Sequence, residues 1–361
     1  MKIAAWLFVV ALVLAACTPA EEAESPGDGA PTAPGTSAAP GTSASAEPDA
    51  SAGGQVEGTV RVALGDIEGV ETLNLLIALE RLRERGVEVE LTEFAEEDLA
   101  AEAVLGGQAD VTLGAPYAVI QETGAPLRIL CQLQTLRFFA VVDAEAYPDW
   151  QALDGETFTV HSRGSGTEAM ALLIQQEEGI EFGEISFVSG AEVRATALLQ
   201  GNVQATFLDI PTRNFVMEES PGQFHELPLP EISATDEALV ANTDWLAANP
   251  EVAQVLLEET LTTWRSIVED ANFVVEERDR LGLAEDLEPE LEEQILPYYE
   301  EAGQEGVFAT DCGGEEAAQT DFEFYSLVGQ VDGDPAELNV EEFWDIETLQ
   351  AALDAVEGAS N

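Results

Sequence analysis

The chain has 361 residues, of which 71 are acidic and 13 basic, and its formal net charge at pH 7 is −58. The only lysine is Lys2, so the other 12 of the 13 basic residues are arginines. This composition excludes nucleic acid as a partner, because binding phosphates requires clustered Lys and Arg. An acid excess with almost no lysine is typical of halophilic proteins, whose self-repulsion is screened by counterions. An ordinary acidic secreted protein is the alternative.

Residues 1–16 have the order of a secretory signal peptide. Lys2 is followed by the apolar run Ile3–Leu14, and small residues then precede Cys17. The run is too short for an ordinary membrane-spanning helix. Leu-Ala-Ala-Cys at 14–17 resembles the lipobox of bacterial lipoproteins, which implies cleavage before Cys17 and acylation of that cysteine. An uncleaved anchor is the alternative, and both interpretations place the folded body outside the cytoplasmic membrane.

Residues 17–55 are predicted to form a disordered tether. Ala, Pro, Gly, Ser, Thr and Glu dominate the segment, and Ala-Pro-Gly-Thr-Ser occurs at 33–37 and again at 39–43. Without a hydrophobic period, such a segment buries too little surface to offset the entropy of ordering. We expect it to hold a soluble body near the membrane.

The first half of the body alternates between predicted strands and helices. Gly86 and Gly106-Gly107 mark helix ends, and Pro116 opens a helix. In chain order the predicted strands are Thr59–Leu64, Val87–Leu91, Val111–Leu113, Leu127–Leu133 and Phe138–Val142, and the helices are Glu71–Arg85, Asp98–Leu105 and Tyr117–Glu122.

The same alternation recurs after residue 143, with predicted strands at Thr157–Val160, Ile185–Val188 and Ala205–Leu208 and helices at Gly166–Glu177 and Val193–Leu199. Strands separated by helices indicate a parallel, doubly wound sheet. Because the unit occurs twice, the sequence predicts two similar α/β lobes.

Several segments resemble periplasmic solute-binding proteins of the nitrate, sulfonate and taurine type, which serve ATP-driven importers. They are the turn and strand Trp150–Thr157, the Ser/Gly-rich loop Ser162–Thr167, the segment Leu199–Pro211, the return strand Leu239–Asn242 and the helix start Trp245–Glu251. The resemblance follows the family order over about residues 56–290, and the tail beyond about 300 matches less clearly.

The resemblance implies a two-lobed, type II periplasmic binding protein-like fold, with two doubly wound sheets joined by a hinge. We expect the first part of lobe I at 56–142, lobe II at 143–240, and the lobe I return with a C-terminal helical tail at 241–361. The crossovers are expected near 131–143 and 234–242.

Ligands of open α/β sheets bind beyond the carboxyl ends of the strands. Four loops in such positions are predicted to line one cleft between the lobes. Their candidate ligand-binding residues are Asp66, Ile67 and Glu68; Ala115, Pro116 and Tyr117; Gly164, Ser165, Gly166 and Thr167; and Asp209, Pro211 and Thr212.

Each loop also has a structural interpretation. Ser165 with Glu168 matches a capping box, Pro116 suits a first helical turn, and Asp66 and Glu68 suit a solvated loop. A catalytic triad of Ser165, His161 and Asp209 is disfavoured, because the loop lacks the leading glycine of the Gly-x-Ser-x-Gly elbow. No motif for a metal or cofactor is present in the sequence.

With Cys17 acylated, Cys131 and Cys312 are the cysteines that remain, and an extracytoplasmic compartment permits a disulfide between them. Two free thiols are the alternative. The predicted protein is a monomeric, membrane-tethered binding protein that performs no chemistry and delivers a small polar or anionic solute to the permease subunits of an ABC transporter. Sulfonate-, taurine-, nitrate- and pyrimidine-like solutes and aromatic carboxylates all remain candidate ligands. An interaction or adhesion module without a small ligand is the alternative, and an enzyme on the same fold is a further one.

Overall fold

The computed structural model describes residues 55–65, 69–94, 97–285, 287 and 289–359. The predicted signal peptide, Cys17 and the predicted tether up to residue 54 lie outside the described residues, and so do Asp66, Ile67 and Glu68. The first elements are β1 (Gly58–Leu64), α1 (Leu73–Glu84), β2 (Val87–Glu93), α2 (Glu97–Leu105), β3 (Val111–Gly114), α3 (Tyr117–Thr123) and β4 (Leu127–Thr135).

Three residues separate β4 from the second series. It contains β5 (Phe139–Asp143), β6 (Thr157–Val160), α4 (Gly166–Glu178), β7 (Glu184–Phe187), α5 (Ala191–Leu199), β8 (Ala205–Leu208), α6 (Ile210–Glu219) and β9 (Phe224–Leu227), with a 3-10 turn at Trp150–Leu153. The return and the tail contain β10 (Thr235–Asn242), α7 (Thr243–Ala248), α8 (Pro250–Glu269), α9 (Asn272–Leu281), α10 (Pro289–Glu292), α11 (Ile295–Gln304), α12 (Gly314–Tyr325) and α13 (Ile346–Ala359).

The strands form two five-stranded sheets, and we refer to each sheet with its helices as a lobe. The first sheet has the order β2-β1-β3-β10-β4, and the second has the order β7-β6-β8-β5-β9. The two-lobed α/β architecture predicted from the sequence is therefore confirmed. The alternating pattern of β2, with Val87 and Val89 buried and Glu88 and Glu90 exposed, is that of an edge strand with one solvated face.

Both sheets are mixed, whereas the alternation of strands and helices predicted parallel ones. The cause is that one strand of each sheet arrives from the other lobe: β10 runs antiparallel to β3 and β4, and β5 runs antiparallel to β8 and β9. The chain changes sheet between Thr135 and Phe139 and returns between Leu227 and Thr235. Both changes fall before the lobe boundaries expected after residues 142 and 240.

The C-terminal tail covers the open edge of the first sheet. Phe308 pairs with Gln134 of β4, and Trp344 pairs with Ile129. The sulfur atoms of Cys131 and Cys312 are bonded to each other across this edge. An unpaired sheet edge exposes backbone donors and acceptors, so the tail satisfies groups that would otherwise be open to another chain.

The helices α1 and α13 pack against α8, whose Trp264 is among the largest fully buried side chains and is 1% exposed. Its indole donates a hydrogen bond of 2.7 Å to the carbonyl of Leu133 in β4. Among the described residues, none of the helices has the length and apolarity needed to cross a membrane.

Candidate solute-binding cleft

The carboxyl ends of the strands in the two lobes face each other, and the register of the strands shows why. β4 runs parallel to β3, since both pair antiparallel with β10, so the end of β4 lies at the same edge as the ends of β1 and β3. After three intervening residues, Phe139 begins β5 opposite Leu208, the last residue of β8. Because the crossover is so short, the edge where β8 ends lies next to the edge where β4 ends. This is where ligands bind in open α/β sheets.

The segment Gly164–Thr167 follows β6 and contains the capped start of α4. Ser165 is the N-cap residue, and its hydroxyl accepts a hydrogen bond from the amide of Glu168 at 3.3 Å and donates one to the carbonyl of Ser162 at 2.7 Å. The Glu168 carboxylate accepts from the amide of Gly164 at 2.6 Å. The capping interpretation of Ser165 and Glu168 therefore describes this loop, and the Ser165 hydroxyl is used within it.

Gly166 and Gly164 face the hinge and the tail. A Cβ atom at Gly166 would lie 2.7 Å from Cδ2 of Leu136, in the first crossover. The carbonyl of Gly164 accepts a hydrogen bond from the side chain of Gln330. A bulky residue at Gly166 would thus displace Leu136, so substitution there perturbs packing as well as any contact with a solute.

The structure assigns the Tyr117 side chain to the core, although the sequence predicted it as a cleft residue. The side chain has no exposed surface, and its ring packs against Phe322, Tyr325 and Phe343. Its hydroxyl donates to the carboxylate of Asp321 at 2.5 Å. Pro116 stands at the N-cap of α3, so Tyr117 is the first residue of the helix. Only Ala115 and Pro116 of this predicted loop remain partly exposed.

Asp209 begins α6 at the end of β8. One oxygen of its carboxylate accepts from the amide of Thr212 at 3.0 Å and from the Thr212 hydroxyl at 2.5 Å. Pro211 occupies the first turn of the helix, where a missing N–H costs nothing. Ile210, between them, is buried against the core of the first lobe. The N-terminus of α6 therefore reaches the opposite lobe.

Arg194 lies close enough to Asp209 for the two charges to interact, and it was not predicted as a site residue. The residue is 1% exposed, and its guanidinium donates to the carbonyls of Phe207 at 3.1 Å and Val188 at 3.0 Å, at the ends of β8 and β7. Burial lowers its pKa, and the negative charge of Asp209 opposes that change. Burial, followed by the charge of Arg194, also lowers the pKa of His161, which favours the neutral imidazole.

His161 and Ser165 are not arranged as a base and a nucleophile. His161 Nδ1 accepts a hydrogen bond from the amide of Gly190 at 3.2 Å, and Ser165 Oγ donates to Ser162. Within the described loop 161–168, no Ser–His hydrogen bond is present. The described residues also contain no group of three or more His, Cys, Asp or Glu that could hold a metal ion.

Helix α11 joins the lobes at the mouth of the cleft, and sequence reasoning missed it. Glu301 of α11 forms an ion pair with Arg213 of α6. The second carboxylate oxygen of Glu301 accepts a hydrogen bond from the side-chain amide of Asn214 at 2.7 Å. The Arg213 guanidinium also lies 3.9 Å from the ring centre of Phe139. No motif marks these residues, because an ion pair between positions 88 apart leaves no local pattern.

Tyr298, one turn before Glu301, lies among carboxylates of both lobes. Burial raises the pKa of its hydroxyl well above the usual value. The negative charges of Glu71, Glu237 and Asp209 act in the same direction. Glu237 precedes Ala238, which pairs with Gly114 at the end of β3. The half-buried Tyr298 ring is therefore a candidate cleft residue that the sequence did not reveal.

Two cavities lie outside the predicted loops. One of about 510 Å³ adjoins both crossovers and is lined by Arg137, Glu226, Pro230 and Glu305, among others. The other, of about 490 Å³, lies beside Arg61 and Asp110, near the start of β3. Neither is lined by a residue predicted to bind a ligand.

With α6 and α11 in contact, the lobes are apposed in this structure.

Comparison with known proteins gives the family. A profile described as NMT1/THI5 like matches residues 75–272, which is more than half of the chain. The chain therefore belongs to the NMT1/THI5-like family. A comparison with curated protein sequences finds no match.

Solved structures share the fold. The periplasmic sulfonate-binding protein SsuA of a putative sulfonate ABC transporter from Methylobacillus flagellatus KT has a TM-score of 0.61 at 18% identity, with 83% of this chain and 94% of that chain covered. The periplasmic nitrate-binding protein NrtA from Synechocystis PCC 6803 has a TM-score of 0.60 at 14% identity, covering 83% and 89%. A Candida albicans gene product, described as exhibiting the generic periplasmic binding protein structural fold, has a TM-score of 0.55 at 14% identity, covering 82% and 95%. The fold of this chain is thus that of periplasmic binding proteins.

Proposed function

We propose that this protein is an extracytoplasmic solute-binding protein that captures a small polar or anionic solute between its lobes and delivers it to the permease of an ABC transporter. One observation carries the proposal: two crossovers join the lobes, and the carboxyl ends of the strands in one lobe face those in the other. Such a hinge closes over a ligand by rigid-body motion. The sulfonate- and nitrate-binding neighbours of the same fold support this assignment.

The described residues of the cleft suit a solute with an anionic end and a donor group. The helices α4 and α6 begin after strand ends of the second lobe, and helix N-termini favour negative charge. The Asp209 carboxylate and the neutral Tyr298 hydroxyl add an acceptor and a donor. Sulfonate-, taurine-, nitrate- and pyrimidine-like solutes are therefore the compounds to test, with Gly164–Thr167, Ala115, Pro116, Asp209, Pro211 and Thr212 as the proposed contacts.

The lipobox-like sequence before Cys17 supports a lipid anchor, and the tether would let the body reach its permease. Binding and release require no chemistry, and the hydrogen-bonding of Ser165 and His161 does not favour an enzyme. We propose a monomer, because the cleft is complete within one chain.

A thermal-shift screen in molar potassium chloride tests the proposal. The panel contains taurine, an alkanesulfonate, nitrate, an aminopyrimidine and an aromatic carboxylate. At least one should raise the melting temperature, and the rise should increase with the logarithm of its concentration above Kd, since a ligand that binds only the folded state stabilises it. A protein that no compound stabilises would instead support the interaction or adhesion alternative.

Titration calorimetry on Asp209→Asn then locates the site. Asparagine still caps α6, so folding is retained while the charge is lost. A solute with an amine should bind roughly 10-fold more weakly or worse, since a hydrogen bond to a charged group contributes about 1.5–3 kcal/mol. The matched control is Asp149→Asn. Asp149 caps the 3-10 turn that begins at Trp150. This turn comes after β5, whose last residue lies at the end of the second sheet away from the cleft. Equal affinities of an amine-bearing solute for both variants and the wild type would contradict the proposed site.

A further inference from the structure

The residues that follow α11 are bound to the first crossover between the lobes. Thr135, at the end of β4, donates from its amide to the carbonyl of Val307 at 2.9 Å and from its hydroxyl to the carbonyl of Gly306 at 2.8 Å. Arg137, inside the crossover, donates to the carbonyl of Glu305 at 2.6 Å. The same guanidinium also donates to the carbonyl of Ile232, in the second crossover. A single arginine therefore links both crossovers to the tail.

Helix α12 holds the second crossover where it joins β10, at Thr235. The amide of Thr235 donates to one oxygen of Asp321 at 2.7 Å, and its hydroxyl donates to the other at 2.6 Å. The Tyr325 hydroxyl donates to the carbonyl of Thr235 at 2.5 Å. Thr235 and Asp321 have no exposed surface. Every polar group of this hinge residue is thus bound by α12.

The same tail segment is fixed to the first lobe and reaches the second. The bond between Cys131 and Cys312 and the hydrogen bond from the Gln132 amide to the Cys312 carbonyl (3.0 Å) attach it to β4. At its other end, Gln330 donates to the carbonyl of Gly164, in the loop before α4. Residues 305–330 therefore contact the first lobe, both crossovers and the second lobe.

We propose that residues 305–330 are a brace that sets the angle between the lobes, and that Asp321 is a positioning residue for solute binding. Opening a hinge changes the backbone angles of a few crossover residues. At Thr235 such a change must break hydrogen bonds to a buried carboxyl group, which are stronger than neutral ones and expensive to leave unmade. The brace therefore favours the apposed arrangement. Only its effect on solute affinity rests on the proposed function.

The interlobe distance tests the brace without any solute. Nitroxide labels are attached through maleimides to Glu102→Cys on α2 and Glu177→Cys on α4, both exposed and in different lobes. The full chain carries Cys17→Ser, and the bonded Cys131 and Cys312 do not react with maleimide. Pulsed electron–electron double resonance then gives the distribution of distances between the two labels. It is measured for the protein with the unchanged brace, for Asp321→Asn and for Tyr325→Phe. Glu323→Gln, an exposed carboxylate on the same helix, is the matched control.

Both brace variants should show a broader distribution with added population at longer distances, at a temperature where circular dichroism shows them folded. Glu323→Gln should match the parent. Tyr325→Phe loses one hydroxyl and keeps its ring. If Asp321→Asn does not fold, the distance distribution of Tyr325→Phe therefore tests the brace. Unchanged distances in Tyr325→Phe, with or without a lower melting temperature, would overturn the brace.

Solute affinity separates the brace from the proposed function. If the binding-competent fraction falls tenfold in a brace variant, its apparent affinity should fall about tenfold as well. A parent protein that binds no compound of the panel would contradict the proposed function, while the distance measurement still decides the brace.

Discussion

Asp321 is a buried carboxyl group whose titration should be visible in the stability of the protein. Burial raises its pKa from the ordinary 3.8 to about 6, although hydrogen bonds from Thr235 and Tyr117 act in the opposite direction. The folded state therefore holds this proton more tightly than the unfolded state. Its contribution to stability is fully present below about pH 4 and is lost as the pH rises through about 6.

The size of the effect follows from the difference between the two pKa values. A shift of about two units corresponds to about 3 kcal/mol, and about 2 kcal/mol of this falls between pH 4.5 and 7.5. The many exposed carboxylates titrate over part of the same range, so the wild-type curve alone cannot isolate one group. The useful quantity is the difference in unfolding free energy between the wild type and Asp321→Asn, which lacks the proton.

Denaturant unfolding at half-unit steps of pH, in constant molar salt, measures this difference. The wild type should lose about 2 kcal/mol relative to Asp321→Asn as the pH rises from 4.5 to 7.5. Glu323→Gln, whose carboxylate is exposed, should give a flat difference against the wild type over the same range. A flat difference for Asp321→Asn would refute the reasoning, because Asp321 would then have the same pKa in both states.

Three further predictions concern the disulfide, the salt dependence and the anchor. Joint replacement of Cys131 and Cys312 by serine should lower the unfolding free energy by about 2–4 kcal/mol in denaturant titrations, because the bond closes a long loop; an unchanged free energy would contradict this. Molar salt shortens the screening length to about 3 Å, so the melting temperature should rise substantially from low to molar potassium chloride, and a flat response would reject the halophilic interpretation. Cys17→Ser should release the body from membranes into the medium, and full membrane retention of that variant, measured by fractionation, would count against a lipid anchor.

The fold was largely predictable because its signals are local. The apolar runs, the glycines at helix ends and the proline before α3 depend on residues within one element. The strands of both sheets therefore follow the predicted succession, except that β9 was not predicted. The mixed strand directions could not be predicted in the same way, because the direction of β5 and β10 depends on which lobe the chain has just left.

The predicted site was less accessible to sequence reasoning. Tyr117 follows a strand and a proline, as a ligand loop would, yet its hydroxyl binds Asp321, which lies 204 positions away. Glu301, Tyr298 and Asp321 belong to the tail, where the family resemblance was weakest. Their roles depend on contacts between segments far apart in the chain, and such contacts leave no period or spacing in the sequence. Ser165 illustrates the opposite case, since its capping pattern is local and the structure shows the cap.

The central claim is that a solute binds between the strand ends of the two lobes. Amide hydrogen exchange, measured with and without a saturating solute from the thermal-shift panel, tests it most directly. The account predicts slower exchange at residues 114–116, 161–168 and 208–213, together with the facing part of α11, and unchanged exchange in the edge strand β2. Protection confined to the cavity beside Arg137 and Pro230, or spread evenly over the body, would contradict binding between the lobes.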